Sequence, residues 1–292
     1  MPSAPGRSLP PVPAPALVLG SLTAQQLGAA LAKGLFPQVG AAGVVLLRIG
    51  IAAALLVAVW RPRLPRRARG RWWPPLAFGL VIAGMNLAFY SALARAPLGV
   101  VATVELLGPL GVAAALSRRA VDLLWTVLAV LGVALLGSGG GRTQAAGIGL
   151  ALLAAVLRAG YVLLSRRVGR RFPGGDGLAL ALGVGALALA PLGIASAGPE
   201  LLRPRVLLLG AVVAVLSSAL PYTLDLAALR RLPAQVFGVL LSLGPAVAAL
   251  VGVVVLHETL RAREWLAVGL VVLASVGVTW TNRAPGGPAP VA

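Results

Sequence analysis

The segment ALARAPLGVVATVELLGPL, residues 92–110, recurs 136 residues further along the chain as ALRRLPAQVFGVLLSLGPA, residues 228–246, and the two align without gaps. After a four-residue slip, Trp125 and Gly137 also match Trp265 and Gly277. Chance similarity between apolar helices accounts for shared leucine and alanine, but less readily for tryptophan, proline and a Gly-Pro pair. The identical pairs include Ala92 with Ala228, Leu93 with Leu229, Arg95 with Arg231, Pro97 with Pro233, Gly108 with Gly244 and Pro109 with Pro245.

The composition around this repeat is that of a chain that crosses a membrane many times. Apolar residues make up 59% of the 292 residues and charged residues only 11%, whereas a soluble domain is about a quarter charged. This hydrophobicity excludes a chain that is disordered over most of its length. The net charge of +18 raises a nucleic-acid partner as an alternative. The arginines, however, stand in short clusters between long uncharged stretches with few aromatic residues among them, so we expect no nucleic-acid partner.

Ten apolar segments are long enough to cross the hydrocarbon core, which requires about 20 helical residues. The two copies of the repeat fall at segments three to five and eight to ten, so the repeating unit has five helices. An odd unit enters the membrane from opposite sides in its two copies, as in many secondary transporters. We therefore predict an all-α integral membrane protein of ten transmembrane helices, arranged as two inverted five-helix repeats, 14–138 and 145–281, with disordered tails at 1–13 and 282–292. The segments are 14–35, 38–60, 73–94, 98–116, 121–138, 145–165, 177–196, 205–229, 233–256 and 264–281.

The distribution of cations predicts that both termini are cytoplasmic. With the N-terminus inside, sixteen Lys and Arg residues fall on the inner side and seven on the outer side, in agreement with the positive-inside rule. The lipid bilayer and its anionic headgroups are the expected partners of most of these arginines. A cleaved signal peptide is the alternative interpretation of the first segment, but the polar TAQQ at 23–26 interrupts the short apolar core that such a peptide needs.

Four ionisable residues, Arg48, Glu105, Arg158 and Asp225, lie inside predicted transmembrane segments, where an ionised side chain costs about 2.5–3.5 kcal/mol at the bilayer centre on insertion scales and usually marks a functional site. Glu105 is the candidate for a group that exchanges a proton and binds an ammonium. Arg48 is the candidate for a group that binds a carboxylate. The alternative is that the two neutralise each other as a buried pair.

Further polar residues recur at helical spacing and could line a pathway between helices or merely join neighbouring helices. Asp225 is either an acid at the membrane interface or a partner in an inner gate, and Arg158 either faces the pathway or extends to the inner interface. The candidates on shared helix faces are Asn86 with Tyr90, Ser218 with Tyr222 and Asp225, and Thr23 with Gln26.

Proline is expected to kink the predicted transmembrane segments at three positions. Pro109 and Pro245 belong to the repeat, and Pro221 lies in the eighth segment. Proline removes a backbone donor and clashes with the preceding turn, so we expect a kink at each of these positions. Kinks in both halves suit a protein whose two halves move against each other.

No motif for catalysis or for a bound metal is present. The chain contains no cysteine and a single histidine. His257 stands in LHETLR, but the second histidine of a zinc-protease motif would be at residue 261, which is arginine. Because nucleophile-elbow, phosphate-loop and ATPase motifs are also lacking, we expect no cofactor, no metal and no enzymatic activity. Small residues in the fifth and tenth segments favour helix packing, including a possible homodimer contact.

Three longer stretches resemble the drug/metabolite transporter superfamily, and in particular EamA-type transporters of the threonine/homoserine exporter branch. They are MNLAFYSALARAPLGVVATVELLGPLGVAAALSRRAVDLLW at 85–125, YVLLSRRVGRRFPGGDGLALAL at 161–182 and SSALPYTLDLAALRRLPAQVFGVLLSLGPAVAAL at 217–250. The resemblance covers nearly the whole chain. It implies a ten-helix, two-repeat exporter in the bacterial inner membrane that is driven by the proton gradient.

The expected function is therefore export of a small amino acid of the threonine or homoserine kind, by proton antiport. A ligand with one carboxylate, one ammonium and a small polar side chain also suits the candidate residues. An exporter of another metabolite or drug is the first alternative. A non-transporting membrane scaffold or sensor is the second, although it would not need charged groups at the midplane of both halves.

Overall fold

The computed structural model describes residues 13–60, 73–116, 120–137, 142–172, 176–229 and 231–281. Over these ranges the chain is helical and contains no strand. The predicted tails, apart from residue 13, and the arginine-rich connection at 61–71 lie outside them. The helices are α1 (Ala14–Gly34), α2 (Phe36–Trp60), α3 (Trp73–Leu93), α4 (Leu98–Glu105), α5 (Leu107–Leu116), α6 (Ala120–Gly137), α7 (Arg142–Arg171), α8 (Asp176–Ala197), α9 (Pro204–Ala214), α10 (Leu220–Leu229), α11 (Ala234–Leu241), α12 (Gly244–Leu256) and α13 (Ala262–Thr281).

Seven stretches of the described chain are helical, long and apolar enough to cross a membrane. Two shorter apolar stretches, Leu98–Val112 and Leu124–Leu136, correspond to the fourth and fifth predicted segments. The prediction of a helical membrane protein is thus confirmed, while the count of ten spans remains a prediction. The sixth segment is longer than expected, because α7 continues through the arginines at 166–171.

Large apolar side chains remain exposed along the outer faces of these helices. Leu187 is 76% exposed, Val254 69% and Val156 68%. In water such side chains would be unfavourable, but hydrocarbon tails are as apolar as the side chains themselves. The surface of the described part of the chain therefore suits a lipid environment.

Three of the apolar segments are interrupted just before a proline. An α-helix bonds the N–H of each residue to the carbonyl four residues earlier, and proline has no N–H to give. The chain responds with a break after α4, a break after α11 and a π-helical turn, Val215–Ala219, between α9 and α10. The residue that loses its helical donor is Glu105 before Pro109, Ser217 before Pro221 and Leu241 before Pro245.

The two copies of the repeat fold alike at these breaks. Helices α4 and α11 each span eight residues, and both their bounds are displaced by the same 136 residues that separate the sequence copies. Each helix follows a proline in an extended conformation, Pro97 with ψ 147° and Pro233 with ψ 139°. Proline is preorganised for this position because its missing N–H has no role at a helix start.

Glycines bring helices into close contact at several points of the described core. Gly99 on α4 lies against Ala249 on α12, and Gly277 on α13 lies under the indole ring of Trp125 on α6. Gly132 on α6 likewise packs on α13. The small residues of the fifth and tenth segments are therefore used within the monomer, and the homodimer remains a prediction.

Candidate transport site

Arg48 lies at the midpoint of α2, the position that the sequence analysis assigned to it. Its Nη1 donates hydrogen bonds to Asn86 Oδ1 at 2.8 Å and to Tyr90 Oη at 3.1 Å, both on α3. The guanidinium also lies 5.6 Å from the centroid of the Tyr90 ring, within the range of a cation–π interaction. Three of the predicted site residues thus come together around one guanidinium.

The acceptor on the other side of Arg48 is a backbone carbonyl that the sequence analysis did not identify. Arg48 Nη2 lies 3.3 Å from the carbonyl oxygen of Ser217, in the π-helical turn. A continuous α-helix would bond this carbonyl to the N–H of residue 221, but Pro221 has none. The proline therefore makes an acceptor available, and the arginine uses it.

Every described partner of Arg48 is electrically neutral. The partners are an amide oxygen, a phenol oxygen, a phenol ring and a carbonyl oxygen, and none of the described ion pairs includes Arg48. The guanidinium is only partly buried, and it has five N–H donors in all. A cation at the middle of a long apolar helix, with no counter-ion in the described ranges, is suited to bind a carboxylate.

The side chain of Ser217 is also part of this region. It is 6% exposed, and its hydroxyl is buried without a hydrogen-bond partner among the described residues. Gly28 on α1 lies directly against it, and a Cβ there would overlap the hydroxyl. The predicted serine was Ser218, which is less buried and makes no described hydrogen bond.

Glu105, the second central residue, pairs with Arg158 and not with Arg48. The Nε of Arg158 lies 3.5 Å from Glu105 Oε1. Glu105 is the last residue of α4, and Arg158 lies near the middle of α7. Close packing sets up the pair, because Gly108 at the start of α5 lies against the carbonyl of Ala155 and the Cβ of Arg158.

Contacts of helix α3 show how far apart the two charged centres lie along the helix axes. Gly84 on α3 lies against Leu157 on α7, the residue next to Arg158. Asn86, which binds Arg48, is two residues further along α3, a rise of about 3 Å. The Arg48 centre and the Glu105–Arg158 pair therefore lie in the same layer of the helix bundle.

The predicted polar face on α10 is described only in part. Asp225 lies beside Ser21 of α1, its Oδ1 is buried without a hydrogen-bond partner, and none of the described ion pairs includes it. The side chain of Tyr222 lies outside the described ones. Gln26 on α1 is 8% exposed, whereas Thr23 is exposed.

A third charged centre, which the sequence analysis missed, joins three helix ends. Lys33 Nζ near the end of α1 lies 2.6 Å from Glu258 Oε1, and the backbone N–H of Leu98, at the start of α4, donates to Glu258 Oε2 at 2.8 Å. Helix α12 ends at His257 in the left-handed conformation, φ 53°, which turns Glu258 back towards the bundle. A positive φ at a non-glycine residue is not visible in the sequence.

No group of three or more acidic or histidine side chains with the geometry of a metal site occurs in the described ranges. His257 serves there as a helix cap. Glu264, which is 4% exposed, accepts hydrogen bonds from the Gln144 side chain at 2.9 Å and from the Arg261 N–H at 2.8 Å. It joins the starts of α7 and α13, which is a structural role.

The chain is similar to known bacterial transporters over nearly its whole length. It is 41% identical over 270 residues to the threonine/homoserine exporter RhtA of Escherichia coli (strain K12), covering 91% of each chain. It is 42% identical to the protein of the same name from Salmonella typhimurium (strain LT2), covering 94% of each. Residues 145–280 match the EamA-like transporter family.

More distant similarities extend to another transporter and to solved structures. The chain is 29% identical to the uncharacterized transporter YwfM of Bacillus subtilis (strain 168), over 79% of this chain and 81% of that one. A crystal structure with 22% sequence identity superposes with a TM-score of 0.57, covering 91% of this chain and 97% of the other. At that identity the likeness is one of fold alone.

Proposed function

Because this chain belongs to the EamA-like transporter family, whose members here are transporters and not enzymes, we propose that it exports small amino acids of the threonine and homoserine kind. The name of the relatives that are 41–42% identical, threonine/homoserine exporter, supports this substrate class. The chemistry of the Arg48 centre supports this substrate class independently, since a cation without a counter-ion among the described residues favours a ligand with a carboxylate.

The observation that carries the proposal is the cation at the midpoint of α2. Arg48 is positioned by Asn86, Tyr90 and the Ser217 carbonyl, so its free donors are held in a fixed orientation. A substrate carboxylate supplies the missing negative charge through charge-assisted hydrogen bonds. Since the arginine is oriented beforehand, little conformational freedom is lost when the ligand binds.

The remaining groups of a hydroxy amino acid also find partners. Glu105 lies in the same layer as Arg48 and is the acceptor for the ammonium. The unpartnered hydroxyl of Ser217 can exchange a hydrogen bond with the side-chain hydroxyl of threonine or homoserine. Tyr90 is a second candidate for that contact, because its phenol oxygen already faces the guanidinium.

The proposed architecture is two inverted five-helix repeats with ten spans. Matched bounds of α4 and α11 support it, as does the way in which the halves pack. Helix α3 packs on α7, and α10 packs on α1. Likewise α3 packs on α8, and α9 packs on α2. Helices α4 and α5 pack on α7, and α11 and α12 pack on α1. In each of these three pairs, one contact becomes the other when each helix is replaced by its counterpart in the other repeat. Alternating access then follows from rocking one repeat against the other.

The proposed location is the bacterial inner membrane with both termini in the cytoplasm. The cation distribution supports this orientation, which puts the Lys33–Glu258 pair on the outer side and the arginines at 166–171 on the inner side. Cysteines introduced singly at the ends of 61–71 and in 166–171 should resist an impermeant thiol reagent in intact cells. Labelling of both segments from outside reverses the orientation.

Asp225 is the proposed proton-exchanging group. Glu105 already has a cationic partner, whereas Asp225 has none among the described residues. Of the elements packed against α10, α11 and the π-helical turn carry no charged side chain, and the single charge of α1 is Lys33, far along that helix from Ser21. Asp225 can therefore take up or release a proton without breaking an ion pair, which suits a group of a proton relay in a membrane helix.

The test uses the purified protein in liposomes loaded with labelled threonine, homoserine or an acidic metabolite. Efflux of the hydroxy amino acids, driven by an imposed pH gradient, is the expected result. Arg48→Gln should weaken recognition of threonine by about 10-fold or more, yet leave its decarboxylated analogue unaffected. Arg48→Lys, which keeps the charge but not the planar fork, should be intermediate.

Three outcomes contradict the proposal in different ways. Lack of efflux of both hydroxy amino acids removes the substrate class. Equal losses for threonine and its decarboxylated analogue in Arg48→Gln remove the role of Arg48. Efflux of the acidic metabolite alone favours the second candidate, an exporter of anionic metabolites, which the neutralisation of Glu105 by Arg158 supports. A scaffold or sensor would transport none of the three.

A further inference from the structure

We propose that Arg158 is a specificity-determining residue. In the empty transporter its guanidinium neutralises the Glu105 carboxylate, at the place where the substrate ammonium binds. The inference rests on the proposed function, because it assumes that an amino acid reaches Glu105. Binding then exchanges one cation for another: the substrate ammonium takes the carboxylate, and the Arg158 guanidinium moves away from it.

The geometry of the pair suits a partner that can be displaced. Strong charge-assisted hydrogen bonds between nitrogen and oxygen are about 2.7–2.9 Å long, and the Lys33–Glu258 contact is 2.6 Å. The Arg158 Nε to Glu105 Oε1 distance is 3.5 Å, and no described hydrogen bond joins the two residues. The pair therefore neutralises charge without locking the side chains together.

Arg158 also has little else to hold it in place. It donates no hydrogen bond to any described residue, and its side chain is 30% exposed, whereas that of Glu105 is 12% exposed. The acid is thus the fixed member of the pair and the arginine the mobile one. A guanidinium on a long side chain can withdraw from the carboxylate while its own helix stays in place.

The position of Glu105 at a helix break favours an ammonium over a guanidinium. Glu105 is the last residue of α4. Its backbone carbonyl has no helical donor, because Pro109, four residues later, has no N–H. A carboxylate and a carbonyl at one residue offer acceptors in different directions. An ammonium has three N–H donors directed as a tripod, whereas a guanidinium presents its donors in one plane. The substrate can therefore use more of this site than Arg158 does.

Exchange at Glu105 sets how strongly the site prefers ligands with an ammonium, without changing the net charge of the site. A zwitterion brings its own cation, so Glu105 stays neutralised throughout. An anion that lacks an ammonium leaves Arg158 where it is and gains nothing from the carboxylate. Arg158 therefore weakens the binding of every substrate with an ammonium by competing with it, and has little influence on ligands without one.

The test compares threonine with its hydroxy-acid analogue, in which a hydroxyl replaces the ammonium. Binding is measured as ligand-dependent thermal stabilisation of the purified protein, and KM and kcat as efflux from liposomes. Arg158→Gln, which removes the competing cation, should lower the KM for threonine roughly two- to fivefold, while the KM for the hydroxy acid should not fall. Arg158→Lys, which keeps a cation whose ammonium suits Glu105 at least as well as the guanidinium does, should not lower the KM for threonine.

A second pair of variants separates competition from a structural role. In the Glu105→Gln background there is no carboxylate to compete for, so adding Arg158→Gln should leave the KM for threonine unchanged. Arg158→Leu, whose side chain suits a membrane helix, replaces Arg158→Gln if the latter does not fold. A raised or unchanged KM for threonine, or equal shifts for both ligands, overturns the proposal. Absence of threonine binding by the unmodified protein instead contradicts the proposed function.

Discussion

Replacement of Asn86 by aspartate should weaken the binding of a substrate carboxylate to Arg48. The Oδ1 atom of Asn86 accepts a hydrogen bond from Arg48 Nη1 at 2.8 Å, and Asn86→Asp puts a negative charge at this distance with almost no change of shape. Arg48 then has a permanent counter-ion. A substrate carboxylate must compete with it for the same guanidinium.

The size of the effect follows from these contacts. A hydrogen bond to a charged group contributes about 1.5–3 kcal/mol, and each 1.4 kcal/mol is about tenfold in affinity. The apparent affinity for threonine should therefore fall roughly 10- to 150-fold. The substitution also removes the hydrogen bond that Asn86 Nδ2 donates to the Ile82 carbonyl at 2.9 Å, so the protein need not become more stable.

Asn86→Ser is the matched control for this experiment. It removes the bonds to Arg48 and Ile82 but adds no charge, so its affinity for threonine should fall much less. Tyr90→Phe, which removes a single neutral acceptor at 3.1 Å, should also have a small effect. Affinity is measured by titrating labelled threonine into the detergent-solubilised variants. If Asn86→Asp and Asn86→Ser lose affinity equally, Arg48 does not bind the carboxylate.

Three further predictions concern other parts of the molecule. Glu258→Gln retains an acceptor for the Leu98 N–H but loses the ion pair with Lys33. It should cost about 1 kcal/mol, and Glu258→Ala about 1 kcal/mol more because the cap is lost as well. Thermal unfolding in detergent measures both, and equal melting temperatures for the two variants would contradict the capping role. Asp225→Asn cannot carry a proton, so efflux driven by a pH gradient should stop while threonine–threonine counterflow persists; a gradient response that survives would assign proton exchange to another group. Gly277→Ala places a methyl group into the Trp125 ring and should destabilise the protein by about 1–3 kcal/mol. Gly269→Ala on the same helix meets nothing within 4 Å and serves as its control, so similar melting temperatures would argue against this close packing.

The sequence predicted the Arg48 centre better than it predicted the face on α10. Asn86 and Tyr90 are four residues apart within an uninterrupted helix, so helical spacing alone puts them on one face. The same spacing selected Ser218, but the π-helical turn Val215–Ala219 contains a wider turn, which rotates the residues around it. The carbonyl of Ser217 therefore bonds Arg48, and the buried hydroxyl in this region belongs to Ser217 and not to Ser218.

Pairings between residues that are far apart in the sequence could not be predicted, for a different reason. Glu105 had two arginines available near the midplane, Arg48 and Arg158, and only the packing of α5 on α7 decides between them. The Glu258 centre depends on a left-handed residue, His257, that ordinary helix-ending signals would assign to glycine. In both cases the chemistry was visible, but the direction of the side chain was not.

The lack of a second carboxylate at the matched break has a kinetic consequence. The residue of α11 that corresponds to Glu105 is Leu241, so the proposed two-fold relation between the repeats holds for the backbone and fails for the charge. The inward-facing and outward-facing forms of such a carrier are not mirror images, because both charged groups proposed to bind the cargo, Arg48 and Glu105, belong to the first repeat. Half-saturation concentrations measured from the two faces of the membrane should therefore differ. Turnover in each direction must change in proportion, since without a gradient no carrier can accumulate its substrate on one side.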